Sequence, residues 1–216
     1  MISALIFIVV SYLCGSIPTG FWLIKAVKGV DIRDYGSKST GATNVWRCFG
    51  KPLGLTVFFI DFLKGYLPTA LAHYASLSIF QSDWTFASGL TPALVPAFVA
   101  LAALVGHSRS VFLKGGGGKS AATGLGTLTG LNPLTGLLTF LTWYVMVKLT
   151  RYVSLSSIIG VFCCGFYFWL NRCPWPYVVY GGVGFVWVTL RHKANIKRLL
   201  KGEEPKAGDK PKDLHL

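Results

Sequence analysis

Glutamate is absent from this sequence until Glu203, and before it only Asp31, Asp34, Asp61 and Asp83 carry acidic side chains. A site built from such a chain has many donors and few carboxylates. That balance disfavours paired-carboxylate catalysis and suits an anionic ligand. Cysteine is sparse as well: Cys14, Cys48, Cys163, Cys164 and Cys173 are odd in number and lack CxxC spacing. Neither a zinc site nor a disulfide framework is indicated, and no metal or cofactor is expected. The amino terminus lacks the cationic segment of a secretory signal and its apolar run continues past any cleavage point, so it reads as a retained span.

Charged residues make up only 13% of the 216, hydrophobic residues 52%, and the mean hydropathy is +0.54. This is the composition of an integral membrane protein. The formal charge of +13 points at first to nucleic acid. However, the cations lie between apolar runs rather than along one soluble face. Nucleic acid is therefore not an expected partner, and orientation in a bilayer accounts for the charge.

Apolar runs cover residues 2–24, 53–77, 87–105, 121–131, 134–149, 154–170 and 176–190, with a short loop at 82–84. The first is interrupted by GSIPTG, whose Pro18 kinks the helix or loosens its end. The second carries Asp61 and Lys64 three positions apart on one helix face. An unpaired ion at a span centre costs about 2.5–3.5 kcal/mol, so this pair is expected to face protein or water. Charge decides whether 121–149 is one span or a hairpin turning at Asn132-Pro133. Only the hairpin puts Lys114, Lys119, Lys148 and Arg151 on one side, leaving Lys64 and Arg172 as the exceptions among 21 cations. The expected fold is an all-α integral membrane protein of seven transmembrane helices, amino terminus outside and carboxyl terminus cytoplasmic. Residues 1–200 form the membrane domain, and 201–216 a charged, disordered tail.

Both polar loops then meet at the cytoplasmic face. The first, residues 36–47, reads GSKSTGATNVWR. Ser37, Lys38, Ser39, Thr40, Thr43, Asn44 and Arg47 offer donors that suit phosphate oxygens, with Arg47 as a bidentate clamp. The second, residues 106–120, reads GHSRSVFLKGGGGKS. It is not a P-loop, because Leu113 stands where the first glycine belongs and no strand precedes it. Its glycines, Gly117 and Gly118 among them, still let backbone amides approach an anion, and Lys119 adds charge at a helix amino terminus. His107 opens this loop as either a structural hydrogen-bonder or a catalyst. His192 and Asn195 follow the last span in RHKANIKRLL, a basic segment that also suits anionic lipid.

In order and spacing, GSIPTGFW, DIRDYGSKSTGATNVWR, DFLKG, VGHSRSVFLKGGGGKSAATGLG and RHKANIKRLL resemble the bacterial membrane glycerol-3-phosphate acyltransferases that use acyl phosphate as donor. The likeness covers residues 15–200, and the combination is highly specific. It implies seven transmembrane helices with the active site near the cytoplasmic face. Ser37 and Arg47 match the family's essential serine and arginine, and Asn44 its asparagine within GATN. His107 and Lys119 match the second-loop histidine and lysine, and His192 and Asn195 the last motif. Two stretches depart: the family usually reads GSGN where this chain has GSKS, and KFKGGKG where it has KGGGGKS. Lys38 and Ser39 thus replace Gly and Asn, Gly116 replaces a lysine, and Ser120 a glycine.

The resemblance implies acyl transfer from a fatty acyl phosphate to the primary hydroxyl of glycerol 3-phosphate. The products are lysophosphatidic acid and phosphate, made for phospholipid synthesis at the bacterial plasma (inner) membrane, with membrane lipid as surrounding partner. Ser37, Arg47 and His107 are the expected catalytic residues. Lys38, Ser39, Thr43, Asn44, Gly117, Gly118, Lys119, His192 and Asn195 are the expected substrate contacts. The other acyltransferase class acting on this acceptor carries His and Asp five positions apart. Ser78, Phe112 and Lys197 stand at those positions after His73, His107 and His192, which argues against acyl-CoA or acyl-carrier-protein donors. A transporter of a phosphorylated metabolite is the competing reading. Seven spans without an evident internal repeat fit it poorly.

Overall fold

The structure is a computed structural model describing residues 2–76 and 92–209. Its helices are α1 (Ile2–Ser16), α2 (Thr19–Lys28), α3 (Ala42–Phe49), α4 (Lys51–Ser76) and α5 (Leu94–Ser108). They continue with α6 (Ala121–Leu131), α7 (Pro133–Thr150), α8 (Val153–Leu170), α9 (Trp175–Arg191) and α10 (Lys193–Leu200). Short 3₁₀ turns lie at Ile32–Asp34 and Val111–Leu113, and no strand occurs among the described residues. Among the described residues, four stretches are long and apolar enough to cross a membrane: Ile2–Lys28, Lys51–Ser76, Leu94–Leu113 and Val153–Leu170. Residues 121–131, 134–149 and 176–190 fall within helices α6, α7 and α9. Of the span predicted over 87–105, residues 94–105 are in α5, while 87–91 and the loop at 82–84 lie outside the described residues.

The outward faces are apolar. Leu5, Leu71, Phe162, Trp169 and Leu190 are each more than 60% exposed. Small residues instead mark the helix contacts. On α4 and α6, a side chain at Gly65 would strike the Thr123 backbone, and one at Gly126 the Phe62 carbonyl. This is how helices associate in lipid, where apolar side chains gain little by leaving the tails and close backbone approach supplies the attraction. Buried Leu104, Leu128, Leu131, Phe168 and Tyr177 join α5, α6, α8 and α9. Ile24, Ile32, Val45, Cys48 and Val57 fix the first polar loop against α2 and α4.

Pro18 divides the first span as predicted: α1 stops at Ser16 and α2 starts at Thr19. The carbonyls at the break find new donors, Ser110 Oγ at 2.5 Å from Ser16 O and Lys64 Nζ at 2.6 Å from Ile17 O. Lys64 also lies 2.7 Å from Asp61, and the pair is 8% and 1% exposed, so it does face protein.

The segment after α10 departs from the predicted disordered tail. The Glu203 N–H donates to Arg198 O, the Ala207 N–H donates to Arg151 O, and Glu204 is buried. The reason is local: Glu204 finds three donors, which replace the water that keeps a charged tail in solution. Residues 210–216 lie outside the described residues.

Candidate active site

One side chain folds the first polar loop. Asn44, buried on α3, accepts from the Ser37 N–H at 2.8 Å. Its Nδ2 donates to Tyr35 O at 3.0 Å and Ser39 O at 2.9 Å. With acceptor and both donors engaged, Asn44 shapes the loop, and it also lines the cavity that the loop helps to form. Gly36 sits at φ +55°, and a side chain there would run into Asn44 and Cys48. The resulting turn brings Ser37, Ser39, Thr43 and Arg47 to one cavity. Lys38 does not join them; it is exposed, at φ +56°, and absent from the lining.

The second loop is folded by its own amides. Gly115 N–H donates to Ser110 O, Gly116 N–H to Leu113 O and Gly118 N–H to His107 O. A side chain at position 117 would strike the His107 carbonyl, and one at 118 the His107 ring. Gly117 and Gly118 therefore seat His107 and do not line the cavity, contrary to the expectation that their amides meet an anion. His107, Lys119 and Ser120 do line it. Burial, with Arg198, Arg47 and Arg191 nearby and Glu204 opposing them, brings Lys119 down to about 8.

The third wall comes from the segment after α9. His192 Nδ1 lies 2.8 Å from Val188 O, a carbonyl that only accepts, so Nδ1 carries the proton and Nε2 is left as an acceptor. Burial, reinforced by Lys119 and Arg191, holds His192 at about 4 and thus neutral at physiological pH. Asn195 Nδ2 and Ser154 Oγ each donate to Glu204 Oε1 at 2.6 Å, and Arg198 Nε donates to Oε2 at 2.8 Å. Burial alone would raise the Glu204 carboxyl, but those three bonds and the Arg198 charge outweigh it and hold it below the usual carboxylate range. Sequence reasoning missed Glu204 because it lies in a Lys- and Pro-rich stretch. Its one signal is that Glu203 and Glu204 are the chain's only glutamates. Asp61 was also missed as a site residue: it lines the cavity beside His107.

The loops supply the polar lining, whereas Leu125, Leu128, Phe140, Trp143 and Val161 from α6, α7 and α8 supply an apolar one. The space is about 1100 Å³ including its open mouth. Among the described residues, no group of three His, Cys, Asp or Glu could hold a metal ion. Such a cavity can hold an anionic head together with an apolar tail.

Fold and cavity define an integral membrane protein with a site for an amphipathic anion. The sequence profile described as Glycerol-3-phosphate acyltransferase matches residues 5–202, and the chain belongs to that family. A glycerol-3-phosphate acyltransferase of Nostoc sp. is 46% identical, aligning 94% of this chain with 91% of its own length. The Synechocystis sp. protein of the same description is 42% identical, covering 97% and 93%. Among solved structures, PlsY (YgiH), an integral membrane glycerol 3-phosphate acyltransferase, superposes in its glycerol 3-phosphate form with a TM-score of 0.84. It is 37% identical, over 95% of this chain and 96% of that one. Its lysophosphatidic acid form gives 0.82 at 36% identity, with the same coverage.

Proposed function

We propose that this protein transfers a fatty acyl group from acyl phosphate to the primary hydroxyl of glycerol 3-phosphate. The products are 1-acyl-glycerol-3-phosphate and inorganic phosphate, made for phospholipid synthesis. The observation that carries this reading is a single cavity lined both by Ser37, Arg47 and Lys119 and by Leu125, Phe140 and Trp143. The family membership and the two ligand forms of the similar structure support the acceptor and the product class. On this reading α6, α7 and α9 complete seven spans within residues 1–200, the amino terminus lies outside, and the cavity faces the cytoplasm from the inner membrane.

The acceptor oxygen attacks the acyl carbon, the bond from that carbon to the donor's phosphate oxygen breaks, and the hydroxyl proton departs on that phosphate. Phosphate leaves readily from a mixed anhydride, so the protein's task is position and charge. Two phosphates held side by side repel each other, and Arg47 and Lys119 offset that repulsion. Ser37 orients the reacting groups without becoming acylated. The neutral Nε2 of His192 suits a hydroxyl of the acceptor.

Purified protein in lipid, given palmitoyl phosphate and glycerol 3-phosphate, is expected to form lysophosphatidic acid and phosphate in equal amounts, with palmitoyl-CoA unable to substitute. An acyl group trapped on Ser37 would overturn the direct-transfer route. Donor-independent flux into sealed vesicles without any turnover would replace the whole reading with transport.

A further inference from the structure

We infer that Glu204 is a positioning residue for Asn195, taking its Nδ2–H so that Asn195 meets glycerol 3-phosphate through Oδ1 and accepts from a hydroxyl of that substrate. This rests on the acyltransferase reading of the same cavity. Glu204 and Asn195 are 7% and 5% exposed, and both line the cavity. Asn195 Nδ2 donates to Glu204 Oε1 at 2.6 Å. An ionised carboxylate only accepts, so the amide is fixed with its nitrogen toward Glu204 and is kept from turning over. Its Oδ1 is the amide atom left without a hydrogen-bond partner among the described residues. A buried acceptor with no donor is costly, and a substrate hydroxyl supplies the donor. A fully ionised phosphate does not, because it brings lone pairs and no proton.

Glu204 is itself fixed by two elements. Ser154 Oγ, from α8, donates to the same Oε1 at 2.6 Å, and Arg198 Nε, from α10, donates to Oε2 at 2.8 Å. A little further on, the Ala207 N–H donates to Arg151 O and Arg151 Nη2 donates to Ala207 O, which ties the segment to the turn before α8. A carboxylate whose sole task was to tether the tail to Arg198 would have no need of burial in a cavity for two phosphates, which it repels.

The cavity is thereby divided by polarity. Arg47 and Lys119 bring only donors, whereas His192 Nε2 and Asn195 Oδ1, one helical turn apart where α10 begins, bring acceptors. Glycerol 3-phosphate is divided in the same way, with phosphate at one end and hydroxyls on the remaining carbons.

Calorimetric titration of the full-length protein in lipid reads this contact without any acyl donor. The ligands are glycerol 3-phosphate and propyl phosphate, which has the same phosphate and carbon count but no hydroxyl. The wild type is expected to prefer glycerol 3-phosphate by about 10²-fold. Asn195→Ala should lower that preference about tenfold, weakening glycerol 3-phosphate and leaving propyl phosphate unchanged. Glu204→Leu, which frees the amide to turn, should lower it by a similar factor. In the Asn195→Ala background Glu204→Leu should add no more than about twofold. Glu204→Asp keeps the charge but draws the carboxylate back by one methylene, and it too should lower the preference, which separates the lost contact from lost charge or fold. Equal weakening of both ligands by Asn195→Ala would make Asn195 a phosphate contact and overturn the inference. So would a preference unchanged in both Glu204 variants, or one that Glu204→Leu lowers to the same extent with and without Asn195. If a folded wild type shows this preference yet forms no lysophosphatidic acid from palmitoyl phosphate, acyl transfer is overturned and the hydroxyl contact stands.

Discussion

Between Gly36 and Arg47 a buried side chain, Asn44, organises the backbone, and Ser37, Ser39, Thr43 and Arg47 are left to face the cavity. Between Gly106 and Ser120 the backbone organises itself through glycine amides, and only the loop's ends, His107, Lys119 and Ser120, reach the cavity. The two loops have similar inventories of donors and use them in opposite ways. A donor already bonded within its loop has little left for a ligand. Which donors remain depends on whether side chains or amides do the folding.

The sharpest way to break this contrast is Arg47→Ala. Losing a charged clamp is expected to lower kcat/KM for glycerol 3-phosphate by about 10²–10³-fold, read by steady-state assay. Gly118→Ala comes next, and it tests the scaffold role, because Gly118 lines nothing yet its methyl would meet the His107 ring. Overpacking of this kind costs about 1–3 kcal/mol. A lower thermal midpoint together with lower kcat is expected, and wild-type values for both would refute the seating of His107.

Glu204→Gln probes the third wall. The folded carboxyl sits below its ordinary value. Its contribution to stability is therefore complete above the unfolded value near 4.3 and is lost as pH falls through the folded one. The variant should unfold at lower temperature at pH 7, by the equivalent of about 1–3 kcal/mol, with the gap closing in acid. For Lys119, at about 8, the cation is present below that pH and lost above it. The glycerol 3-phosphate KM should climb above pH 8, toward about tenfold per unit, and Lys119→Arg should flatten the climb. Lys38→Gly is expected to have the smallest effect. It relieves a left-handed backbone by about 1 kcal/mol and leaves turnover unchanged, since Lys38 does not line the cavity.

Much of this architecture is legible in the sequence because apolar length and charge placement are strong signals. Charge placement brings both polar loops and the segment after the last span to one face, proline chemistry gives the break at Pro18, and the family resemblance picks out Ser37, Arg47, His107, Lys119, His192 and Asn195, which do share the cavity. What escapes is anything decided by hydrogen-bond matching across the fold. The sequence does not show that Asn44 bonds Ser37, Tyr35 and Ser39 within its own loop, and Glu204 looks solvated until Ser154, Asn195 and Arg198 surround it. The departures from the family pattern acquire a physical meaning too. Lys38 and Ser120 stand where glycine is usual, and both adopt left-handed backbone, at φ +56° and +63°. At Ser120 the hydroxyl's bond to Leu104 O, 2.8 Å, helps offset that strain.

The most direct test is calorimetric titration of glycerol 3-phosphate into wild type, Arg47→Ala and Gly116→Ala in lipid. The account predicts saturable binding to wild type, weakened at least about tenfold by Arg47→Ala and left unchanged by Gly116→Ala, whose amide is bonded within its own loop. Equal affinity in wild type and Arg47→Ala, or a collapse confined to Gly116→Ala in a folded protein, would contradict it.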